Sequence, residues 1–231
     1  MLTPSKVYKR TVASPGGMKF VRKVIEKSLL LKSRGIDIID CGLGESSHGL
    51  LPQVITEGVR ALKNNESQYV RPINGLTELR TKIAHEVSLD VKSEIHPDQV
   101  LVTPGSELGI DLFLKTVLNS GDEVIIFDPF FIPFAAFISA YGSKPIFIET
   151  YSTNFLPNIK LLKKKLTNRT KLIIVNSPNN PTGRIIREDF MKEIAYLAKK
   201  RHILLLSDEA YRFFDYERVF SSPFKFYPQG T

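Results

Sequence analysis

Short apolar runs alternate along this chain with longer stretches in which apolar residues recur every three or four positions. The runs at 36–39, 99–102, 123–127, 144–148, 171–175 and 203–206 are rich in Ile, Val and Leu, as strands are. Between them, 51–63, 76–88, 106–118, 130–140, 159–166 and 187–201 carry the helical repeat. Strand and helix in alternation predict an α/β fold, with a largely parallel sheet flanked by helices on both faces. The unbroken runs Leu172-Ile173-Ile174-Val175 and Ile203-Leu204-Leu205-Leu206 agree, since a strand covered on both faces has no polar side.

In open sheets of this kind ligands collect at the carboxyl ends of the strands, and three such ends carry chemistry. Val102 is followed by Thr103-Pro104-Gly105-Ser106-Glu107, directly ahead of a helix. Free backbone N–H groups and a hydroxyl at a helix N-terminus make an anion seat, although an ordinary capped strand-to-helix turn reads the same way. It is not a P-loop, because no Gly-Lys-Ser/Thr follows. Val175 leads into Asn176-Ser177-Pro178-Asn179-Asn180-Pro181-Thr182-Gly183, either a bland turn or a pair of amides offered to a ligand. Leu206 leads into Ser207-Asp208-Glu209-Ala210-Tyr211. A carboxylate closing an apolar strand is costly without a donor or cation beside it. Asp208 therefore either turns to solvent as a cap, or sits in a dry site where it keeps a heteroaromatic nitrogen protonated. Tyr211 can add a phenol there or simply pack in the core. Phe130 and Phe131, after Asp128-Pro129, are core residues or a stacking face for a flat ligand.

Composition narrows the classes. The chain has 231 residues and a net charge of +8, from 32 Lys and Arg against 24 Asp and Glu. The excess favours anionic partners without choosing among them. Lys163-Lys164-Lys165 and Lys199-Lys200-Arg201 end helices and have no interleaved aromatics, so they read as solvated faces complementing the macrodipole rather than as a nucleic-acid patch. Cys41 stands alone and His48, His85, His96 and His202 are scattered, which offers neither a disulfide nor short metal-ligand spacing. The apolar stretch 124–138 is broken by Asp128, Pro129 and Pro133. The reading is a cytoplasmic protein with neither a membrane nor a nucleic-acid partner.

Taken in order, the segments resemble the class I/II aminotransferases of the fold type I pyridoxal-phosphate enzymes. The residues that carry the likeness are Gln68-Tyr69-Val70-Arg71-Pro72-Ile73-Asn74-Gly75-Leu76 with Glu78-Leu79-Arg80, then Thr103 to Glu107. Gly121-Asp122-Glu123-Val124 with Asp128-Pro129-Phe130-Phe131 follows, then Asn179 to Gly183, and Ser207 to Tyr211. Each is weak alone; the ordered set is specific. The resemblance implies pyridoxal 5′-phosphate as cofactor, amino-acid and 2-oxo-acid substrates, and a homodimer. It also implies an N-terminal segment over 1–45 and a cofactor-binding large domain over 46–231, incomplete at its C-terminal end.

Roles carry over residue by residue. Gly105, Ser106 and Glu107 would contact the phosphate, and Phe131 would stack on the pyridine ring. Asn180 and Tyr211 would hydrogen-bond the ring hydroxyl, and Asp208 would pair with the ring nitrogen. Tyr69 would reach the partner subunit's phosphate, and Gly44, with Asn180, would lie by the substrate carboxylate. Ser46-Ser47-His48 stands where the family usually has a proline after Glu45. The family's Schiff-base lysine follows the Asp-x-Ala-Tyr segment in a Ser-x-Ser-Lys context. Here the only lysine after Asp208 is Lys225, within Ser222-Pro223-Phe224-Lys225-Phe226, so the catalytic lysine is expected beyond Thr231 and no catalytic residue within the chain. A truncated remnant, one half of a split enzyme, or a lyase or decarboxylase of the same fold are the alternatives.

Overall fold

The computed structural model describes residues 17–40, 42, 49–66 and 68–231. Helices α1 (Gly17–Ser33), α2 (Pro52–Lys63) and α3 (Thr77–Val91) precede a 3₁₀ turn (Pro97–Gln99) and α4 (Ser106–Val117). Then follow β1 (Glu123–Asp128), α5 (Pro133–Ala140), β2 (Lys144–Glu149), α6 (Ile159–Lys165), β3 (Thr170–Asn176), α7 (Glu188–Arg201) and β4 (Leu204–Asp208). The four strands are parallel, in the order β2-β1-β3-β4.

Alternate residues of β1, β3 and β4 divide between two buried faces of the sheet, whereas the edge strand β2 buries only Ile148. Ile125, Phe127, Ile173, Val175 and Leu205 pack with Ile159 and Leu162 of α6 and Met191, Ile194 and Ala198 of α7. Val124, Ile126, Leu172, Ile174 and Leu206 pack with Ile110 and Leu114 of α4 and Phe134 and Ile138 of α5. This double cover is why the strands read as unbroken apolar runs. The basic ends of α6 and α7, Lys163 to Lys165 and Lys199 to Arg201, are exposed. No helix among the described residues is long and apolar enough to cross a membrane.

Two expected strands do not form, and one helix was not expected. Residues 36–39 join no ladder, and 99–102 begins in the 3₁₀ turn and continues unpaired. Val100 is extended, at φ −106° and ψ 125°, but the Val102 N–H donates to the Asn74 carbonyl at 3.0 Å instead of to a neighbouring strand. An extended segment becomes a strand only when a partner pairs with it. Helix α1 lies in the N-terminal segment, for which no element was expected. The helix expected over 130–140 starts at Pro133, because a residue without an N–H fits the first helical turn.

The sheet is left open on one side. Among the described residues β4 pairs with β3 alone, and on its other edge the Leu205 N–H donates to the Gly230 carbonyl at 2.7 Å. Between that edge and the unpaired 99–101 segment runs a groove of about 630 Å³, walled by Val91, Ile95, Val100, Leu101, Ile110 and Leu205. Helix α2 buries none of its residues, and Val54, Ile55, Val59 and Leu62 lie on its exposed surface.

At the amino edge, Glu123 opens β1 as a buried carboxylate. It accepts from the Thr167 hydroxyl and from Arg169 Nε and Nη2, at 3.1 and 2.8 Å. The Thr167 hydrogen bond and then Arg169 hold this carboxyl below the usual carboxylate range, against its desolvation. A lowered folded-state pKa means that the stabilisation is present above the unfolded value, near 4.5, and is lost as pH falls through the folded one. Glu123→Gln should cost about 1–3 kcal/mol at pH 7 and progressively less on acidification below about pH 4. Urea titrations of both proteins across that range measure it, and a pH-independent difference would refute the account.

Candidate functional site

Helix α4 begins with an uncapped N-terminus. Gly105 is its N-cap, at φ 80° and ψ 158°, with no side-chain cap hydrogen bond. The positive φ calls for glycine, and a Cβ there would meet nothing within 4 Å. Gly105, Ser106 and Glu107 are exposed, so the first-turn N–H groups of a helix 12 residues long face open space. The Thr103 hydroxyl donates to the Gly105 carbonyl at 2.8 Å and shapes the turn. The geometry suits an anion. The Glu107 carboxylate cannot donate to one, so its contribution is its backbone N–H.

The carboxyl ends of β1, β3 and β4 are tied together by one buried amide. Asn176 closes β3 beside Asp208 in the ladder. Its Nδ2 donates to the Asp208 carbonyl at 3.2 Å and to the Pro178 carbonyl at 3.4 Å. Its Oδ1 accepts from the Asn180 N–H at 2.7 Å and from Asn179 Nδ2 at 3.4 Å. Asn179 also donates to the Pro129 carbonyl at 3.4 Å and accepts from Thr182, which joins this loop to the loop after β1. Asn179 is therefore spent on the loop itself. Asn180, half-buried, has its backbone fixed and its amide uncommitted to any hydrogen bond among the described residues. The Asp128-Pro129 and Asn180-Pro181 bonds are cis, as are Arg71-Pro72 and Ser177-Pro178.

Asp208 closes β4 at 9% exposure. Its Oδ1 accepts from the Ala210 N–H at 3.2 Å, and it makes no ion pair among the described residues. Burial pushes its carboxyl above the ordinary carboxylate value, and the Ala210 hydrogen bond offsets this only in part. A buried carboxylate with one neutral donor and no cation is short of a partner. Asp128, the last residue of β1, is also raised, by desolvation and then by Glu149, its register partner on β2.

The other expected site residues are placed less uniformly. Phe131 is half-buried and meets Phe134 edge-on, with ring centroids 5.5 Å apart, so part of it belongs to the core. Tyr211 is half-buried, with its ring 6.2 Å from that of Phe214. Ser106 lines the open groove together with Ser207 and Glu209, which puts the anion seat and the end of β4 on one cavity. Tyr69 is not gathered with them; it is 89% exposed. Gly44 lies outside the described residues. Sequence reasoning gave no role to Asn176, although an asparagine closing an otherwise apolar strand was the available signal.

A family model for aminotransferase class I and II matches residues 36–224. The aspartate aminotransferase of Thermotoga maritima is 36% identical over 197 residues, covering 85% of this chain and 52% of that protein. A probable aspartate/prephenate aminotransferase of Aquifex aeolicus is 34% identical over 206 residues, covering 88% of this chain and 52% of that protein. Among solved structures, the Thermus thermophilus aspartate aminotransferase with maleate superposes at a TM-score of 0.91 and 28% identity, covering 100% of this chain and 59% of that one. The chain thus spans about half the length of the curated relatives it matches.

The raised pKa of Asp208 predicts a trade between stability and binding. Burying the charge penalises the folded state once pH rises past the unfolded value near 3.8, and the penalty is complete above the folded one. Without bound ligand, Asp208→Asn should raise stability at pH 7 by about 1–2 kcal/mol, with the gain vanishing near pH 3. Denaturation at both pH values measures this, and a variant less stable than wild type at pH 7 would count against it.

Proposed function

The chain belongs to the aminotransferase class I and II family, and on that premise we propose that it forms the pyridoxal 5′-phosphate seat of an enzyme moving an amino group between an amino acid and a 2-oxo acid. The family's enzymes use this cofactor. The observation that carries the proposal is Asp208, a buried carboxylate without a cationic partner among the described residues, fixed beside the Asn179–Gly183 loop through Asn176. The donor set fits the group: an acceptor for a protonated ring nitrogen at Asp208, an uncommitted amide at Asn180, a phenol at Tyr211 and an uncapped helix N-terminus for phosphate.

When bound, the cofactor supplies an electron sink for the electrons left at the substrate Cα as the α-proton departs. The residues of this chain prepare for that step. The Asp208 carboxylate would hold a proton on the ring nitrogen, and its burial strengthens the attraction. Asn180 would donate to the ring hydroxyl and stand near the substrate carboxylate, and Tyr211 would donate to the same hydroxyl. The N–H groups after Gly105, with the Ser106 hydroxyl, would bind the phosphate and orient the ring. Phe131 would shield one ring face from water. Tyr69 would serve the partner subunit's phosphate in a homodimer, in keeping with its exposure, and Gly44 would lie beside the substrate carboxylate.

No residue of this chain is assigned as the base that moves the proton. Lys225 is not given that part. It lies in the 3₁₀ turn Pro223–Lys225, away from any strand end. A second reading, one half of a split enzyme completed by another chain, draws on the open edge of β4 and the groove beside it. A parallel sheet with an unpaired inner edge invites a further strand.

The first test is the intact mass of the protein purified from its source cells, followed by its absorbance and its amino transfer from aspartate, the donor named for its relatives, to 2-oxoglutarate. A species well above 26.1 kDa with bound cofactor and stoichiometric exchange is the expected result. A mass of 26.1 kDa with a co-purifying second polypeptide would favour the split enzyme. Absence of both cofactor and activity would leave a remnant. In the active protein, Asp208→Asn should lower turnover at least a hundredfold, since an unprotonated ring nitrogen weakens the sink.

A further inference from the structure

We infer that Arg80 is a positioning residue for the anion seat at the start of α4, through a buried clasp joining the loop after Tyr69 to the segment that ends at Thr103. The inference rests on the reading of that seat as the phosphate site. The seat needs such a clasp because no ladder fixes it. Residues 100–103 follow the 3₁₀ turn outside any strand, 104–105 bend into α4, and Gly105 to Glu107 are exposed.

Arg80 is 5% exposed in the first turn of α3. Its Nε donates to the Gly75 carbonyl at 3.2 Å, and its Nη1 to the Pro97 carbonyl at 2.8 Å and to Asp98 Oδ1 at 3.3 Å. The Asp98 side chain is 77% exposed, so its charge is screened and the two carbonyls set the geometry. Two further contacts close the knot. The Val102 N–H donates to the Asn74 carbonyl, and Gly75, at φ 114°, lies so close to Val102 that a Cβ would come within 2.5 Å of its Cγ2. The clasp therefore ends one residue before Thr103, whose hydroxyl shapes the Gly105 turn.

A buried guanidinium is expensive to desolvate, and an apolar residue would fill the same space at lower cost. What only the planar fork supplies is simultaneous, directional hold on two backbone carbonyls. Losing it should leave α3 formed and release the register between the Asn74-Gly75 loop and the Thr103–Ser106 turn. The consequence falls on a ligand's phosphate more than on its ring.

The test compares Arg80→Lys, which keeps the charge without the fork, and Arg80→Met, which keeps the stem, in the protein at its native length. Affinities for pyridoxal phosphate and for unphosphorylated pyridoxal are measured by equilibrium titration, with circular dichroism as the check on folding. The expected result is a tenfold or greater loss for pyridoxal phosphate in both variants, with pyridoxal changed less than twofold. An equal loss for both ligands, no loss for either, or failure of both variants to fold would reduce Arg80 to a structural residue and overturn the inference. A wild-type protein that binds the two ligands equally well would overturn the phosphate-seat reading itself, and this inference with it.

Discussion

Strands buried on both faces leave a polar side chain nowhere to stand except at a strand end. In β1, β3 and β4 the interior positions pack against α4 and α5 on one side and α6 and α7 on the other. Because the strands are parallel, their carboxyl ends share an edge, and the polar residues that close them meet there. Asp128, Asn176 and Asp208 are each the last residue of a strand. The concentration of chemistry at that edge follows from the same constraint that makes the core.

The two edges treat a buried carboxylate in opposite ways. At the amino edge Glu123 has a hydroxyl and a guanidinium beside it and is stabilised in its charged form. At the carboxyl edge Asp208 has a single backbone donor and is destabilised in its charged form. The first pattern is that of a residue that holds the fold together. The second is that of a residue kept short of a partner at a cost to stability, a pattern that belongs to binding sites. Asn176 makes the arrangement rigid, since one amide fixes both the Asp208 backbone and the start of the Asn180-Pro181 turn.

The open side of the sheet belongs to the same picture. The anion seat and the end of β4 face each other across the groove that separates the unpaired 99–101 segment from β4. The chain spans about half the length of its curated relatives, and Ser106 of the helix start and Ser207 and Glu209 at the end of β4 line that groove. Arg80 and the Asn74-Gly75 loop hold the far wall in the absence of a ladder.

The sequence by itself determined the alternation of strand and helix, and the structure has four of the six expected strands close to their expected bounds. It also marked Gly105, Asn180 and Asp208, because glycine at a helix start, amides in a turn and a carboxylate closing an apolar strand are local signals. Tertiary structure alone decided the rest. Residues 36–39 and 99–102 have strand composition without a partner, and pairing is not a property of a segment. Asn176 and Arg80 acquire their parts only when Asp208, Asn180, Gly75 and Pro97 are brought to them from elsewhere in the chain. Folding alone decided that Tyr69, singled out by its motif, stands on the surface. Local preference is written residue by residue, whereas the choice of a hydrogen-bond partner depends on which segments the core packs side by side.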